Sequence, residues 1–88
     1  MKLAQTFGRN VRRVRHRKGL TIEDLAHEVG LSYSYVGELE RGLRNPSLRV
    51  VQLFASVLEV SPTVLLDCAF GALNVEAPAP SEGAVKRS

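Results

Sequence analysis

An all-α fold of five short helices followed by a disordered tail is what this sequence predicts, on three observations. Apolar residues recur at steps of three and four through successive segments, the spacing that aligns one face of a helix. A hydroxyl residue stands ahead of the later segments, at Thr21, Ser32, Ser47 and Ser61, where its oxygen can accept from a free backbone N–H at a helix start. No segment alternates apolar and polar residues as a half-buried strand does.

Leu3, Phe7, Val11 and Val14 form the first stripe. Its helix is expected to stop near Lys18-Gly19, where glycine takes the left-handed conformation that ends helices and cations complement the C-terminal dipole. Thr21 caps a second helix, with Asp24 in the acidic position of a capping-box start; it buries Leu25, Ala26 and Val29 and ends at Gly30. Ser32 caps a third helix, with Val36 and Leu39 turned inward, that closes at Gly42. Asn45-Pro46-Ser47 breaks the chain, and Ser47 restarts it as a fourth helix with the stripe Leu48, Val51, Phe54, Ala55 and Leu58. Ser61-Pro62 repeats the device, since proline is well suited to the first helical position, and a fifth helix is expected from Pro62 to about Phe70. Residues 1–74 are read as one folded domain. From 75 to 88 the chain turns to Glu, Ala, Pro, Ser and Gly without periodicity, the composition of a disordered tail.

Composition excludes several classes. The chain has 88 residues, enough for a single core, and 44% hydrophobic content is ordinary for a soluble globule. No apolar run nears the roughly 18 residues that span a bilayer. Polar residues follow Met1-Lys2-Leu3-Ala4 where a signal core would lie, so a cytoplasmic location is expected. Cys68 is the single cysteine, so no internal disulfide forms. His16, His27 and Cys68 have no metal-ligand spacing and no nucleophile motif is present, so neither metal, cofactor nor catalysis is expected. The net charge is +3, and Arg9, Arg12, Arg13, Arg15, Arg17 and Lys18 crowd the end of the first helix. Such a run suits a solvated helix face and a phosphate-binding patch equally.

Spacing in the middle of the chain is more specific. Two short helices joined by a tight turn at Gly30 form the arrangement that lets the second enter a DNA major groove. Ala26 permits close approach of the two, Leu31 fills the space beneath the turn, and Val36 and Leu39 anchor the second helix. With those two facing inward, Ser34, Gly37, Glu38 and Arg41 face outward, with Tyr33 on the flank.

At these residues, and at Arg15-His16-Arg17-Lys18-Gly19-Leu20-Thr21, Glu40-Arg41-Gly42 and Asn45-Pro46-Ser47-Leu48, the chain resembles the phage repressor and Cro type of helix-turn-helix regulators, the xenobiotic response element family. The string Gly30-Leu31-Ser32-Tyr33-Ser34-Tyr35-Val36, with Leu39 to Asn45 after it, is similar to the controller proteins that time restriction-modification genes. The resemblance implies a five-helix, lambda-repressor-like helix-turn-helix domain. It also implies a homodimeric repressor or autoregulator that binds double-stranded DNA at a pseudo-palindromic operator through the helix from Ser32 to Arg41. No small-molecule ligand and no membrane partner is implied.

Carried over residue by residue, the resemblance makes Tyr33, Ser34 and Glu38 base-reading positions. A hydroxyl donates or accepts, and a carboxylate accepts from a cytosine amino group. Glu38 also repels phosphate, so a specificity filter or a simple solvated residue is equally compatible. Thr21, Tyr35, Arg41, Arg44 and Asn45 are expected on the DNA backbone, although the Tyr35 ring is as well placed for packing. Arg15 and Glu40 match a structural ion pair. Ile22 departs from the family, in which a glutamine there often bonds a phosphate, and Gly37 costs about 1 kcal/mol against alanine in mid-helix.

A single such module reads few base pairs, so two copies are expected on half-sites one helical turn apart. Val60, Val64, Leu65, Ala69, Phe70 and Leu73 are the candidate dimer surface, with core packing the alternative for Val64 and Leu65. The competing function is an antitoxin-like module that neutralises a partner protein, for which the only spare segment is the tail, poor in large apolar residues.

Overall fold

The signals that start and stop each helix are visible atom by atom in a computed structural model of the chain, which describes residues 3–68. The helices are α1 (Leu3–Arg17), α2 (Ile22–Val29), α3 (Tyr33–Glu40), α4 (Leu48–Leu58) and α5 (Pro62–Leu66), with no strand among the described residues. Thr21 and Asp24 form a reciprocal capping box: the Thr21 hydroxyl accepts from the Asp24 N–H, and the Asp24 carboxylate accepts from the Thr21 N–H, each at 3.0 Å. Hydrogen bonds from the Thr21 backbone N–H and side chain hold the Asp24 carboxyl below its ordinary pKa. Gly30 closes α2 at φ 74°, a left-handed backbone that glycine adopts without steric cost. Glu59 closes α4 in the same region at φ 61°, and its carboxylate accepts from Lys18 at 3.0 Å, which lowers the Glu59 pKa.

Phe7, Val11 and Val14 of α1 meet Leu25, Ala26 and Val29 of α2, Val36 and Leu39 of α3, Val51, Phe54, Ala55 and Leu58 of α4, and Leu65 of α5 in one core. The Phe7 and Phe54 rings meet edge to face, 5.7 Å apart at their centroids. Two members of the expected stripes stay outside. Leu3 is 51% exposed and Leu48 83% exposed. Each is the first residue of its helix, where the stripe runs past the facing helices, and together with Pro46 and Leu66 they line a shallow apolar groove.

The fifth helix is shorter than expected, ending at Leu66 rather than about Phe70. Asp67 is extended, and the buried Asn10 side chain of α1 explains the stop. Its Nδ2 donates to the carbonyls of Val64 (3.2 Å), Leu65 (3.0 Å) and Asp67 (3.0 Å), so helix-end acceptors are satisfied without another turn. Residues 69–74 and the 75–88 tail lie outside the described residues.

The seam between α1 and α3 positions the exposed face of α3. Arg15 donates from Nε to Glu40 Oε2 at 2.6 Å and from Nη2 to Oε1 at 2.9 Å, while Nη1 donates to the Leu20 carbonyl at 2.8 Å. Both side chains are almost sealed from solvent, 7% and 4% exposed. About two turns before Arg15 on the same side of α1, Gly8 lets the two backbones touch. A Cβ there would overlap the Leu39 carbonyl oxygen and lie 2.7 Å from that of Glu40.

Three outcomes test this construction. Gly8→Ala should lower stability by about 2 kcal/mol or more by forcing α1 off α3, read as a shifted urea midpoint; an unchanged midpoint would show that the backbones pass further apart. Glu40→Ala, which leaves the Arg15 charge buried without its partner, should cost about 3–5 kcal/mol, with Arg15→Met/Glu40→Leu recovering most of it. Asp24 and Glu59 have folded pKa values below their unfolded ones, so their stabilisation is present at neutral pH and is lost as pH falls below about 4. The thermal midpoint should therefore drop on acidification through that range, and Asp24→Asn should flatten the drop; an identical acid profile in the variant would rule out the Asp24 contribution.

Candidate nucleic-acid interface

The helix α3 is both anchored and presented. Ser32 caps it by accepting from the Tyr35 N–H at 3.0 Å, Val36 and Leu39 enter the core, and Glu40 is held by Arg15. The first turn points the other way: Tyr33 is 61% exposed and Ser34 is also exposed. Their hydroxyls therefore stand free at the N-terminal end of a rigid helix, the part of such a helix that meets base edges. Gly37 corrects the helical-wheel expectation, because it is buried rather than outward. The Arg41 side chain folds back over it, with Nη1 3.4 Å from the position a Cβ would take. Gly37 thus provides the bed on which exposed Arg41 rests.

Three of the expected site residues meet one another. Arg44 Nε donates to Glu38 Oε1 at 2.8 Å, and the Arg44 guanidinium carbon lies 5.4 Å from the centre of the Tyr35 ring. The Glu38 bond raises the Arg44 pKa further above neutrality. Tyr35 is half-buried and packs on the core edge, so its ring forms a shelf for the cation. Glu38 and Arg44 flank the turn at Gly42, six residues apart, and a helical wheel ending at Glu40 does not bring them together. Asn45 is exposed just beyond.

The start of α2 is poorly equipped to grip an anion. Ile22 packs against the core in place of a polar side chain. The Thr21 N–H and hydroxyl are both drawn to the Asp24 carboxylate, and Glu23 and Asp24 add negative charge to the first turn. Cationic groups gather instead after α3, at Arg41 and Arg44.

The expected dimer surface divides. Leu65 is fully buried in the protomer's own core, held there by the Asn10 clamp on α5, so it is removed from that surface. Val60 and Val64 are half-buried, and Ala69, Phe70 and Leu73 lie outside the described residues. Sequence reasoning missed Gly8, Asn10, the Lys18–Glu59 pair and the Glu38–Arg44 pair. A glycine and an asparagine inside a strongly amphipathic helix are themselves a signal, since neither favours a helix interior without a reason. No helix among the described residues is long and apolar enough to cross a membrane. No group of three or more metal-ligating side chains lies together there.

Comparison with known proteins fits this geometry. Residues 11–65 match the helix-turn-helix family. The chain is 45% identical over 58 residues to YazB of Bacillus subtilis, described as an HTH-type transcriptional regulator, covering 66% of this chain and 84% of YazB. The restriction-modification controller protein C.AhdI of Aeromonas hydrophila superposes with a TM-score of 0.67 at 44% identity, over 70% of this chain and 94% of C.AhdI. The controller C.Esp1396I, solved as a tetramer on its natural 35 base-pair operator, superposes with a TM-score of 0.67 at 32% identity, over 74% of this chain and 86% of C.Esp1396I. In two longer Bacillus subtilis regulators the match spans 41% and 56% of their length. The chain belongs to the Cro/C1-type helix-turn-helix family of DNA-binding transcriptional regulators.

Proposed function

We propose that this chain is a sequence-specific repressor or autoregulator that binds a pseudo-palindromic operator as a homodimer, with α3 of each copy in the major groove. The observation that carries the reading is the pairing of a sealed anchor with a bare first turn. Arg15–Glu40 fixes α3, and Tyr33 and Ser34 at its other end have their hydroxyls free for base edges. Glu38, one turn further along, is the third position that the resemblance offers to base edges, and its carboxylate is engaged there by Arg44. Arg41, Arg44, Asn45 and the Thr21 and Tyr35 hydroxyls surround it as backbone contacts, which set register without reading sequence. C.Esp1396I, a relative solved on its operator, supports DNA binding by this fold.

Two copies on adjacent half-sites roughly 34 Å apart give the specificity one module lacks. Val60 and Val64 supply the described part of the contact between copies, continuing into Ala69, Phe70 and Leu73. The dimer takes no cofactor and works in the cytoplasm.

Selection from random-sequence DNA, followed by fluorescence anisotropy across a salt series, tests the proposal. A two-fold-related site should emerge. Ser34→Ala should relax preference at one position per half-site and cost about 1 kcal/mol there, whereas Arg44→Ala should weaken all sequences alike and make the salt slope shallower by roughly 0.9 per protomer. Failure of any selected site to exceed bulk DNA would remove the reading.

A further inference from the structure

Two glutamates of the same short helix each pair with an arginine from outside it, and the pairs differ in one decisive respect. The Arg15–Glu40 pair is bidentate and sealed from solvent. The Glu38–Arg44 pair uses a single bond, and its side chains are 33% and 55% exposed. A sealed pair resists opening because each charge would be left buried, whereas an open pair is worth little and exchanges partners readily. The remaining Arg44 donors are not taken up by Glu38, and the Tyr35 ring holds the guanidinium at the exposed edge of α3.

We propose that Glu38 is a positioning residue that stands in for a DNA phosphate: it holds Arg44 over Tyr35 in the free protein, and binding exchanges its carboxylate for a backbone phosphate. The proposal rests on α3 facing DNA. A fork of guanidinium donors recognises carboxylate and phosphate alike, so the exchange needs no rearrangement of the helix. Its consequence is uniform. Every duplex, whatever its sequence, must displace the same carboxylate, which then stands near the phosphates without its partner. Glu38 therefore lowers affinity for random DNA and places more of the binding on base contacts, rather than reading a base itself.

The test is a double-mutant cycle on the full chain, with anisotropy against a random duplex and the selected operator over a salt series. Glu38→Gln should tighten both duplexes by the same factor, about two- to fivefold per protomer, and steepen the salt slope. Arg44→Ala should weaken binding by a larger factor in the Glu38→Gln background than in the wild type, because Arg44 is then released from its competitor. Additive effects would overturn the proposal by making Glu38 a simple repulsive charge. A changed preference at one operator position with an unaltered slope would overturn it by making Glu38 a base reader. Wild-type protein that binds DNA while Glu38→Gln leaves affinity and slope untouched removes this proposal alone, and wild-type protein that binds no DNA removes the DNA-facing orientation with it.

Discussion

The exposed face of α3 depends on the seam that fixes the helix to α1. A helix of eight residues has little stability of its own, and α3 contributes only Val36, Gly37 and Leu39 to the interior. Arg15 and Glu40 supply the missing constraint. Removing two charges from water is costly, and that cost is offset only when geometry leaves no donor wanting. Arg15 meets the condition by filling both Glu40 oxygens and the Leu20 carbonyl. The third bond matters because Leu20 lies in the link between α1 and α2, so one guanidinium ties three helices at a point. Gly8 makes that reach possible by letting the backbones touch.

Electrostatics elsewhere on this face are restrained. A net charge of +3 is small for a protein that meets a polyanion, and two of the twelve cationic side chains already have partners: Lys18 is engaged by Glu59 and Arg44 by Glu38. At the start of α2 the helix dipole that would welcome a phosphate is already answered by Asp24. Attraction on this face is thus concentrated at Arg41 and Arg44. Such a layout depends on close, well-placed contacts more than on long-range steering, which salt screens within about 8 Å in physiological buffer.

Much of this was legible in the chain because it is encoded locally. Thr21, Ser32, Ser47 and Ser61 announce helix starts through bonds to residues two or three positions on, and a stripe of apolar residues reports its own face. What was not legible is encoded at a distance or at an edge. Leu48 satisfies the same periodicity as Val51 and Phe54, but periodicity says which way a residue points and not whether anything stands opposite it. The early end of α5 depends on Asn10, more than fifty residues away in sequence. Gly37 faces outward by angle and is covered by a side chain that no wheel places. The Glu38–Arg44 pair crosses from a helix into the loop beyond it, where regular geometry no longer predicts neighbours.

Asn10 gives the molecule a mechanical property as well as a helix end. By grasping two carbonyls of α5 and that of Asp67 just beyond it, Asn10 couples the last described helix to α1, the same rod that Gly8 and Arg15 couple to α3. The two surfaces proposed to meet a groove and a second copy are therefore mounted on a common beam. A dimer built on α5 would inherit its reach from fifteen residues of α1 and behave as a caliper whose jaws are set before DNA arrives. Insertions or deletions of a base pair between half-sites would meet a rigid gauge rather than a flexible tether.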